Sequence, residues 1–536
     1  MSDPRPVRWL ASLVLGAMLL PVQAGTLVEG EAFVDLDGDG RRGPEEPAAE
    51  GVKVSNGREV VLSGADGHFS LELREGDTVF AIKPPGHAVR SGENGLPEFW
   101  QHHFPGGSPE LRYGGIPAGR VERFDVALRP AEATGGPLEV LVLADPQVKN
   151  TADVDYYARD IIADIAARPP AAFGISLGDI VDDDLSLYPA LNAHTASLGI
   201  PWLHVPGNHD LDFDADDDAH SLLTYRHTFG PDTFAWEEAG ASFVLLDNVV
   251  YLPGQRPAYT GGLREDQFAF LESYLATLPN GQMVVVGAHI PFFDTHPDPA
   301  VETFRSADRE RLFALLERFD KVLLLSGHGH VQRHVFHDAA SGWGGASPLH
   351  EYNLGAACGA FWSGVKDEAG IPDATMADGT PNGYASLRIE GGDYRLEWHP
   401  ARLEQDDPAL TQAMALHAPR VLRQGAYPAW GVYANVFMGT PGTRVEYRVG
   451  EGEWQPMRRV ERPDPRLLAE NVRDDEAAQL RGYDRSPEAE PSTHLWRGAL
   501  PTDLAEGEHT VEVRAFDPWQ GEQRARTTYR LQSANP

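Results

Sequence analysis

Cysteine and basic residues are scarce in this chain. Cys358 is the only cysteine among 536 residues, so no intramolecular disulfide can form, and hydrophobic cores or bound metals must hold the fold together. Lys and Arg number 45 against 80 Asp and Glu, which gives a formal net charge of −35. Binding to a nucleic-acid backbone needs a basic face, so this balance argues against a nucleic-acid polymer as a partner. Carboxylates in such number do offer hard oxygen ligands to metal cations.

Long hydrophobic runs are absent after residue 24. Before that point, Arg5 and Arg8 precede an apolar run from Leu10 to Leu20, and Val22-Gln23-Ala24 offers a small-x-small cleavage pattern. Such a segment is typical of a secretory signal peptide and is too short to span a bilayer. We therefore expect residues 1–24 to be removed, and the mature chain, without a transmembrane segment, to be periplasmic or secreted.

Composition shifts divide the remaining chain into three regions. Residues 25–130 show short alternating strands between turn residues, which favours a small β-sandwich. After a short linker, residues 138–399 alternate apolar strands with helical patterns, such as Asp153–Arg168 and a helix that Ser306 is expected to N-cap. Residues 400–536 again show a strand-rich pattern, with candidate β-hairpins. The predicted fold class is α/β, with a small β-sandwich domain at each end.

Polar motifs follow directly after the apolar strands of the central region. Because ligand sites of open α/β sheets lie beyond the carboxyl ends of the strands, these motifs are expected to build one site. Their mixture of oxygen and imidazole ligands suits Mn, Fe, Zn or Co better than Ca or Mg alone. The ligands are too many for one tetrahedral ion, which predicts a two-metal site. The five motifs are Asp145-Pro146-Gln147, Gly178-Asp179-Ile180-Val181-Asp182, Gly207-Asn208-His209-Asp210, His289, and Gly327-His328-Gly329-His330.

The order of these motifs and their residues resemble the calcineurin-like metallophosphoesterases over about residues 138–333. The stretches Cys358–Asp373 and Asp378–Tyr384 are similar to bacterial exported members with added β domains at both ends. The resemblance implies a four-layer β-sandwich flanked by helices and a centre of two divalent transition-metal ions. It assigns Asp145, Gln147 and His330 to the first metal, Asn208, His289 and His328 to the second, and Asp179 to a bridge between them.

The same resemblance implies a reaction. The two cations would lower the pKa of a bridging water and clamp the phosphoryl oxygens for in-line attack on phosphorus. His209 is not a ligand in the family pattern. It is similar to a histidine that, oriented by an aspartate at the position of Asp182, stabilises transition-state charge or protonates the leaving oxygen.

Two departures from the family pattern affect the metals. The opening motif usually reads Asp-x-His, whereas this chain has Gln147, although some branches carry a glutamine there. A neutral carboxamide oxygen is a weaker ligand than imidazole, so we expect the first metal to bind more loosely. Val181-Asp182 stands where purple acid phosphatases have a ligand tyrosine, which argues against a tyrosinate-bound ferric ion.

A second candidate metal site lies in the amino-terminal region. Asp35, Asp37, Asp39 and Glu46 match the spacing of a calcium loop. The preceding residues 31–34 are typical of a strand rather than a helix, so the loop would hold a structural Ca²⁺ in a β domain. A solvated acidic turn explains the same residues equally well.

Substrate-binding residues are less well defined. Arg226, in the segment after the third motif, could bind a substrate phosphate or form a salt bridge on a helix surface. Trp362 could stack on a ring of the substrate or pack the loop that covers the sheet.

The prediction from the whole sequence is an exported, metal-dependent hydrolase of small phosphoric esters, either monoesters or diesters. The alternative is a non-catalytic exported protein with a decayed phosphoesterase site, attached to glycan or protein by its β domains and calcium. The sequence leaves the oligomeric state open.

Overall fold

The structure is a computed structural model that describes residues 25–131, 136–298, 300–401, 403, 407–481 and 484–534. The expected signal peptide, residues 1–24, and the centre of the expected linker, residues 132–135, lie outside this range. Within it, no helix is both long enough and apolar enough to span a membrane.

The amino-terminal region consists of eight short strands. They form two four-stranded sheets in the orders β4-β1-β8-β6 and β3-β2-β5-β7. The strands are β1 (Thr26–Val34), β2 (Lys53–Ser55), β3 (Val60–Leu62), β4 (His68–Leu73), β5 (Asp77–Ile82), β6 (His87–Ala88), β7 (Trp100–His103) and β8 (Val126–Pro130). Buried and exposed residues alternate along β4, because one face of its sheet is covered and the other is solvated.

Strand β5 differs from its neighbours because it is buried on both faces. Val79 and Ala81 enter the core of the amino-terminal region. Phe80 and Ile82 point to the other face and belong to the large central core. Successive side chains of a strand point to opposite faces, so β5 alone contributes side chains to both cores.

The described part of the central region contains thirteen strands and six α-helices. The strands are β9 (Leu138–Leu143), β10 (Phe173–Leu177), β11 (Trp202–Val205), β12 (Phe234–Glu238), β13 (Ala241–Leu246), β14 (Val249–Tyr251), β15 (Tyr259–Gly261), β16 (Met283–Ala288), β17 (Lys321–Ser326), β18 (Arg333–His337), β19 (Leu349–Asn353), β20 (Gly383–Glu390) and β21 (Asp393–Pro400). The helices are α1 (Thr151–Tyr157), α2 (Ala163–Ala166), α3 (Tyr188–Ala196), α4 (Leu223–Phe229), α5 (Glu265–Leu275) and α6 (Ser306–Leu316).

Two mixed sheets form the central sandwich. One has the strand order β11-β10-β9-β20-β21, and the other has the order β12-β13-β16-β17-β19-β18. Phe173 on β10 packs edge-to-face against Phe243 on β13, with ring centroids 5.0 Å apart, so the two sheets share one core. Strands β9, β10 and β11 are parallel to one another, as are β13, β16, β17 and β19. The predicted α/β class, a sandwich with helices and added β domains, is confirmed.

Two local predictions in the central region need correction. The helix predicted over Asp153–Arg168 runs from α1 to α2 and contains a π-helical segment, Ala158–Ile162. Ser306 is the first residue of α6 and not its N-cap, which is Arg305. The backbone N–H of Ser306 donates to the carboxylate of Glu302, so a side chain from the preceding turn satisfies the helix terminus.

The carboxyl-terminal region, as far as the structure describes it, is a second β-sandwich with one helix. Its strands are β22 (Met414–His417), β23 (Val421–Arg423), β24 (Gly431–Val436), β25 (Arg444–Val449), β26 (Gln455–Pro456), β27 (Arg458–Pro463), β28 (Pro491–Ala499), β29 (Gly507–Asp517) and β30 (Gly521–Gln532), and its helix is α7 (Pro465–Glu476). The sheets have the orders β22-β24-β28-β27 and β23-β30-β29-β25-β26. Trp496 and Tyr529 pack in a core of its own, whereas Phe437 and Met438 join the central core. The domain bounds 25–130, 138–399 and 400–536 stay predictions.

Candidate metal centre

Five strand ends converge on one edge of the central sandwich. The motif containing Asp145 follows β9, that containing Asp179 follows β10, and that containing Asn208 follows β11. His289 follows β16, and the Gly327–His330 motif follows β17. Because β9, β10 and β11 are parallel neighbours in one sheet, and β16 and β17 in the facing sheet, all five segments leave the sandwich at the same edge.

The backbone of these segments is strained. Left-handed φ angles cost a non-glycine residue of the order of 1–3 kcal/mol and persist where the surrounding structure enforces them. Seven non-glycine residues of the described chain have such angles, and all but Ala374 belong to the motifs or lie beside them. These six are Asp145 (50°), Gln147 (38°), Asp179 (48°), Asp183 (66°), His328 (68°) and His330 (49°). The surrounding structure therefore holds these residues in strained backbone conformations that direct their side chains into the site.

One group of ligand atoms surrounds His289. The ligand atoms of Asp179, His289 and His328 all lie within 4.8 Å of one another. Nε2 of His289 is 3.2 Å from Oδ2 of Asp179 and 3.0 Å from Oδ1 of Asn208. Its Nδ1 lies 2.8 Å from the carbonyl oxygen of Leu177 and donates to it, so Nε2 is the ring nitrogen that faces these oxygens. A cation among these electron-rich atoms fits this donor set.

The pKa values of the buried pair also indicate a place for positive charge. Burial opposes protonation of His289, but the charge of Asp179 outweighs burial and raises the pKa of His289 to about 9. Burial acts to raise the pKa of Asp179, yet the neighbouring His289 holds it well below its ordinary value. The centre thus stabilises a carboxylate together with a cation at a fully buried position.

A second group shares Asp179 with the first. The ligand atoms of Asp145, Asp179 and His330 lie within 4.8 Å of one another. Nδ1 of His330 donates to the carbonyl oxygen of Ala360 at 2.8 Å, which leaves Nε2 for a metal, 3.5 Å from Oδ1 of Asp145. Nε2 of Gln147 donates to Oδ1 of Asp182 at 3.1 Å, so the amide oxygen is at the opposite end and lies 4.0 Å from Sγ of Cys358. The residues present fit two cations with Asp179 between them.

His209 lies beside this centre with its Nδ1 held by carboxylates. Nδ1 is 2.7 Å from Oδ1 of Asp183 and 3.3 Å from Oδ1 of Asp182. The backbone N–H of His209 donates to Oδ1 of Asp179 at 2.8 Å, which fixes the residue relative to the shared ligand. The predicted orienting residue was Asp182, but the shorter contact is with Asp183. Sequence reasoning missed Asp183, which lies inside the acidic run 182–184 and is distinguished from its neighbours by its left-handed backbone.

The two candidate substrate residues are hydrogen-bonded within the fold. Arg226 donates from Nη2 to the carbonyl oxygen of Gly76 and to Oγ1 of Thr78, so it joins α4 to the amino-terminal region. Trp362 is 2% exposed and donates from Nε1 to the carbonyl oxygen of Pro146. These tertiary hydrogen bonds favour a structural role for each side chain, and substrate binding by Arg226 or Trp362 stays a prediction.

The loop between β19 and β20 supports the first motif. Ala357 and Cys358 donate backbone N–H groups to the carbonyl oxygens of Ala144 and Asp145, and Trp362 extends the same contact. Cys358 is buried, with Sγ 3.8 Å from Nδ1 of His330. Beside Trp362, the ring of Phe361 is 47% exposed.

The predicted calcium loop also brings its carboxylates together. Asp35, Asp37 and Asp39 have oxygens within 4.8 Å of one another. The carboxylate of Glu46 accepts from the backbone N–H groups of Leu36 and Gly43, which lowers its pKa. Backbone donors thus occupy Glu46, and calcium binding in this loop stays a prediction.

Comparison with protein families matches two long segments of the chain. Residues 138–332 match the calcineurin-like phosphoesterase domain, and residues 351–522 match the C-terminal domain of calcineurin-like phosphoesterases. No curated protein matches the chain. Among solved structures, the chain is similar to the purple acid phosphatase PPD1 isolated from yellow lupin (Lupinus luteus) seeds, with 12% identity and a TM-score of 0.37. That similarity covers 70% of this chain and 67% of the lupin chain.

The two matched segments together span more than half of the chain and contain all five motifs. The chain belongs to the calcineurin-like phosphoesterases. It is accordingly a metal-dependent hydrolase of phosphoric esters.

Proposed function

We propose that the protein hydrolyses small phosphoric esters at a centre of two divalent transition-metal ions, of Mn, Fe, Zn or Co. The supporting observation is the pair of ligand clusters that share Asp179. Asp145, Gln147 and His330 hold the first ion, and Asn208, His289 and His328 hold the second. Two ions so placed supply positive charge to the phosphoryl oxygens and an activated water near neutral pH.

The protein's own groups orient and balance this chemistry. The carbonyl oxygens of Leu177 and Ala360 fix the tautomers of His289 and His330, so each ring presents Nε2 to the centre. Nδ1 of His209 is held by Asp183, which leaves Nε2 as the atom that carries a proton to the leaving oxygen. Asp182 contacts Gln147 and His209, and so connects the ligand set to the proton donor.

Export and a calcium ion belong to the same proposal. The charged start, apolar run and small-x-small pattern of residues 1–24 support secretion or a periplasmic location. The Asp35, Asp37 and Asp39 cluster supports a structural Ca²⁺ in the amino-terminal region.

The test combines metal content with hydrolysis. The purified protein is stripped with a chelator, reconstituted with Mn²⁺, Co²⁺, Zn²⁺ or Fe²⁺, and assayed with 4-nitrophenyl phosphate and bis(4-nitrophenyl) phosphate. We expect two ions per chain at the centre and metal-dependent release of nitrophenol from at least one substrate. Binding of fewer than two ions after saturation, or hydrolysis that survives chelation, would contradict the proposal.

A further inference from the structure

Lysine is rare in this chain, and one lysine lies at the rim of the metal centre. The sequence contains five lysines among its 45 basic residues. Three of them contact carboxylates away from the motifs and one contacts a tyrosine hydroxyl: Lys53 with Glu237, Lys83 with Glu238, Lys321 with Asp393, and Lys366 with Tyr156. The fifth, Lys149, follows Gln147 by two residues, and its side chain is 43% exposed.

Two contacts place the ammonium of Lys149 beside the first-metal ligands. Nζ lies 3.6 Å from Oδ2 of Asp182, whose other oxygen accepts from Gln147. Nζ also lies 4.2 Å from the centre of the Phe361 ring, which in turn is 5.8 Å from the ring of His330. Each group that contacts the ammonium therefore touches a ligand of the first metal.

These contacts leave the ammonium available to a ligand. A half-exposed ion pair at 3.6 Å is weak, and an exposed cation–π contact adds little to it. Lysine is a point charge on a flexible stem, so it can turn from Asp182 to an incoming anion at little cost.

The balance of charge at the centre indicates what Lys149 could bind. Asp145, Asp179, Asp182 and Asp183 bring four negative charges, which two divalent ions would balance. A phosphodiester adds one negative charge, whereas a phosphate monoester or a diphosphate adds about two or more near neutral pH. His209 gives its proton to the leaving oxygen, so the second charge of the substrate needs a cation that stays charged. Lys149 lies at the rim of the first-metal cluster.

On the basis of the proposed function, we propose that Lys149 determines specificity by binding the second negative charge of the substrate, beyond that of a monoanionic phosphodiester. That charge belongs either to the scissile phosphate of a monoester or to a neighbouring phosphoryl group. The exposed face of Phe361 keeps the ammonium at the rim.

The test compares anions of different charge on the Mn-loaded protein. Titration calorimetry at about pH 8 measures binding of inorganic phosphate, inorganic pyrophosphate and dimethyl phosphate to wild type, Lys149→Gln and Lys149→Arg. Lys321→Gln, which removes an exposed ion pair with Asp393, is the matched control. Metal content is measured for every variant, and KM and kcat are measured for the two nitrophenyl esters.

We expect Lys149→Gln to weaken binding of inorganic phosphate roughly tenfold, or about 1.4 kcal/mol, and binding of dimethyl phosphate less than about twofold. Lys149→Arg should restore most of the loss, and metal content should not change. A loss for both inorganic anions assigns the charge to the scissile phosphate. A loss for pyrophosphate alone assigns it to a neighbouring phosphoryl group.

Equal losses for phosphate and dimethyl phosphate, no loss for any anion, or no measurable binding to the wild type would overturn the proposal. Loss of a metal ion from Lys149→Gln would also overturn it, because Lys149 would then act by positioning Asp182 and Gln147. Failure of the proposed function appears separately, as an Mn-loaded wild type that binds phosphate without hydrolysing either ester.

Discussion

Gln147 and Asp182 are joined by a hydrogen bond of 3.1 Å in which Nε2 of the amide donates to Oδ1 of the carboxylate. An ionised carboxylate only accepts hydrogen bonds, so the amide cannot turn over without losing this contact. The amide oxygen, which lies 4.0 Å from Sγ of Cys358, is therefore the end of Gln147 that is offered to a cation. The hydrogen bond to Asp182 thus orients the amide of Gln147 so that its oxygen, and not its nitrogen, is the metal ligand.

The metal held by Gln147 should be the more weakly bound of the two. Gln147→His should tighten it, because imidazole is a stronger donor than a neutral amide oxygen, and Gln147→Ala should leave a site that fills only at high metal concentration. Asp182→Asn should weaken the same site roughly 10- to 100-fold although it changes no ligand. Calorimetric titration with Mn²⁺ measures all three, with the exposed Asp155→Asn as control. Two equally tight ions in Gln147→Ala would mean that this residue is not a ligand.

Asp179→Asn should remove both ions and nearly all hydrolysis. Asp179 is the only residue common to the two clusters of the described chain, and an amide cannot balance the charge of two cations. Elemental analysis and hydrolysis of 4-nitrophenyl phosphate measure the outcome. Retention of two ions at full activity would refute the bridging assignment.

His209→Ala should keep both metals but lower kcat by roughly 10² to 10⁴, the usual effect of a lost proton donor. The loss should be smaller for nitrophenyl esters than for alkyl esters, since a nitrophenolate leaves without a proton. Asp183→Ala should give a weaker version of the same pattern, because it removes the partner 2.7 Å from Nδ1. Equal losses for good and poor leaving groups would instead indicate that His209 stabilises phosphoryl charge.

Acidification should destabilise the fold through His204. Burial lowers the pKa of His204 to about 3, and neither ring nitrogen has a hydrogen-bond partner. Below about pH 6.5 the unfolded chain binds a proton that the folded chain does not, so stability falls as the pH decreases towards 3. His204→Leu should remove up to about 1.4 kcal/mol per pH unit of this slope, measured by urea unfolding of metal-free protein between pH 7 and 4.5. An unchanged slope would show that His204 is not a source of the acid sensitivity.

His494→Ala should weaken the first metal site from the carboxyl-terminal region. His494 on β28 lies 3.0 Å from Oδ2 of Asp378, and the same oxygen accepts from the backbone N–H of Gln332, two residues after His330. Removing one partner of a buried hydrogen bond typically costs about 1–3 kcal/mol, and more where the remaining group is charged. We expect a lower melting temperature and weaker binding of one of two Mn²⁺ ions, whereas the exposed His68→Ala should change neither. Loss of stability without loss of metal affinity would confine His494 to a structural role.

The sequence predicts the catalytic fold and the convergence of the motifs because both depend on local patterns. Apolar runs followed by Asp145, Asp179 or His328 mark strand ends, and parallel strands bring their ends together. The burial of Trp362 depends on the carbonyl oxygen of Pro146, a contact between residues 216 positions apart. Hydrophobic periodicity does not reveal a contact over such a distance in sequence. The sequence therefore cannot distinguish a tryptophan exposed for stacking on substrate from one buried in packing.

The same reason explains Arg226 and Asp183. The closeness of Arg226 in sequence to the third motif suggests a role in substrate binding. In the structure its guanidinium instead donates hydrogen bonds to Gly76 and Thr78 of the amino-terminal region. The choice between Asp182 and Asp183 as the partner of His209 depends on a left-handed backbone at residue 183, which an acidic run does not reveal.

Strand β5 makes the amino-terminal region inseparable from the hydrolase. Phe80 packs against Phe270 on α5, with ring centroids 5.7 Å apart, while Val79 on the opposite face is buried among the strands of its own sandwich. A fragment beginning at Leu138 would expose Phe270 to water. One strand thus couples the unfolding of two regions, so heat or denaturant should melt them in a single cooperative transition.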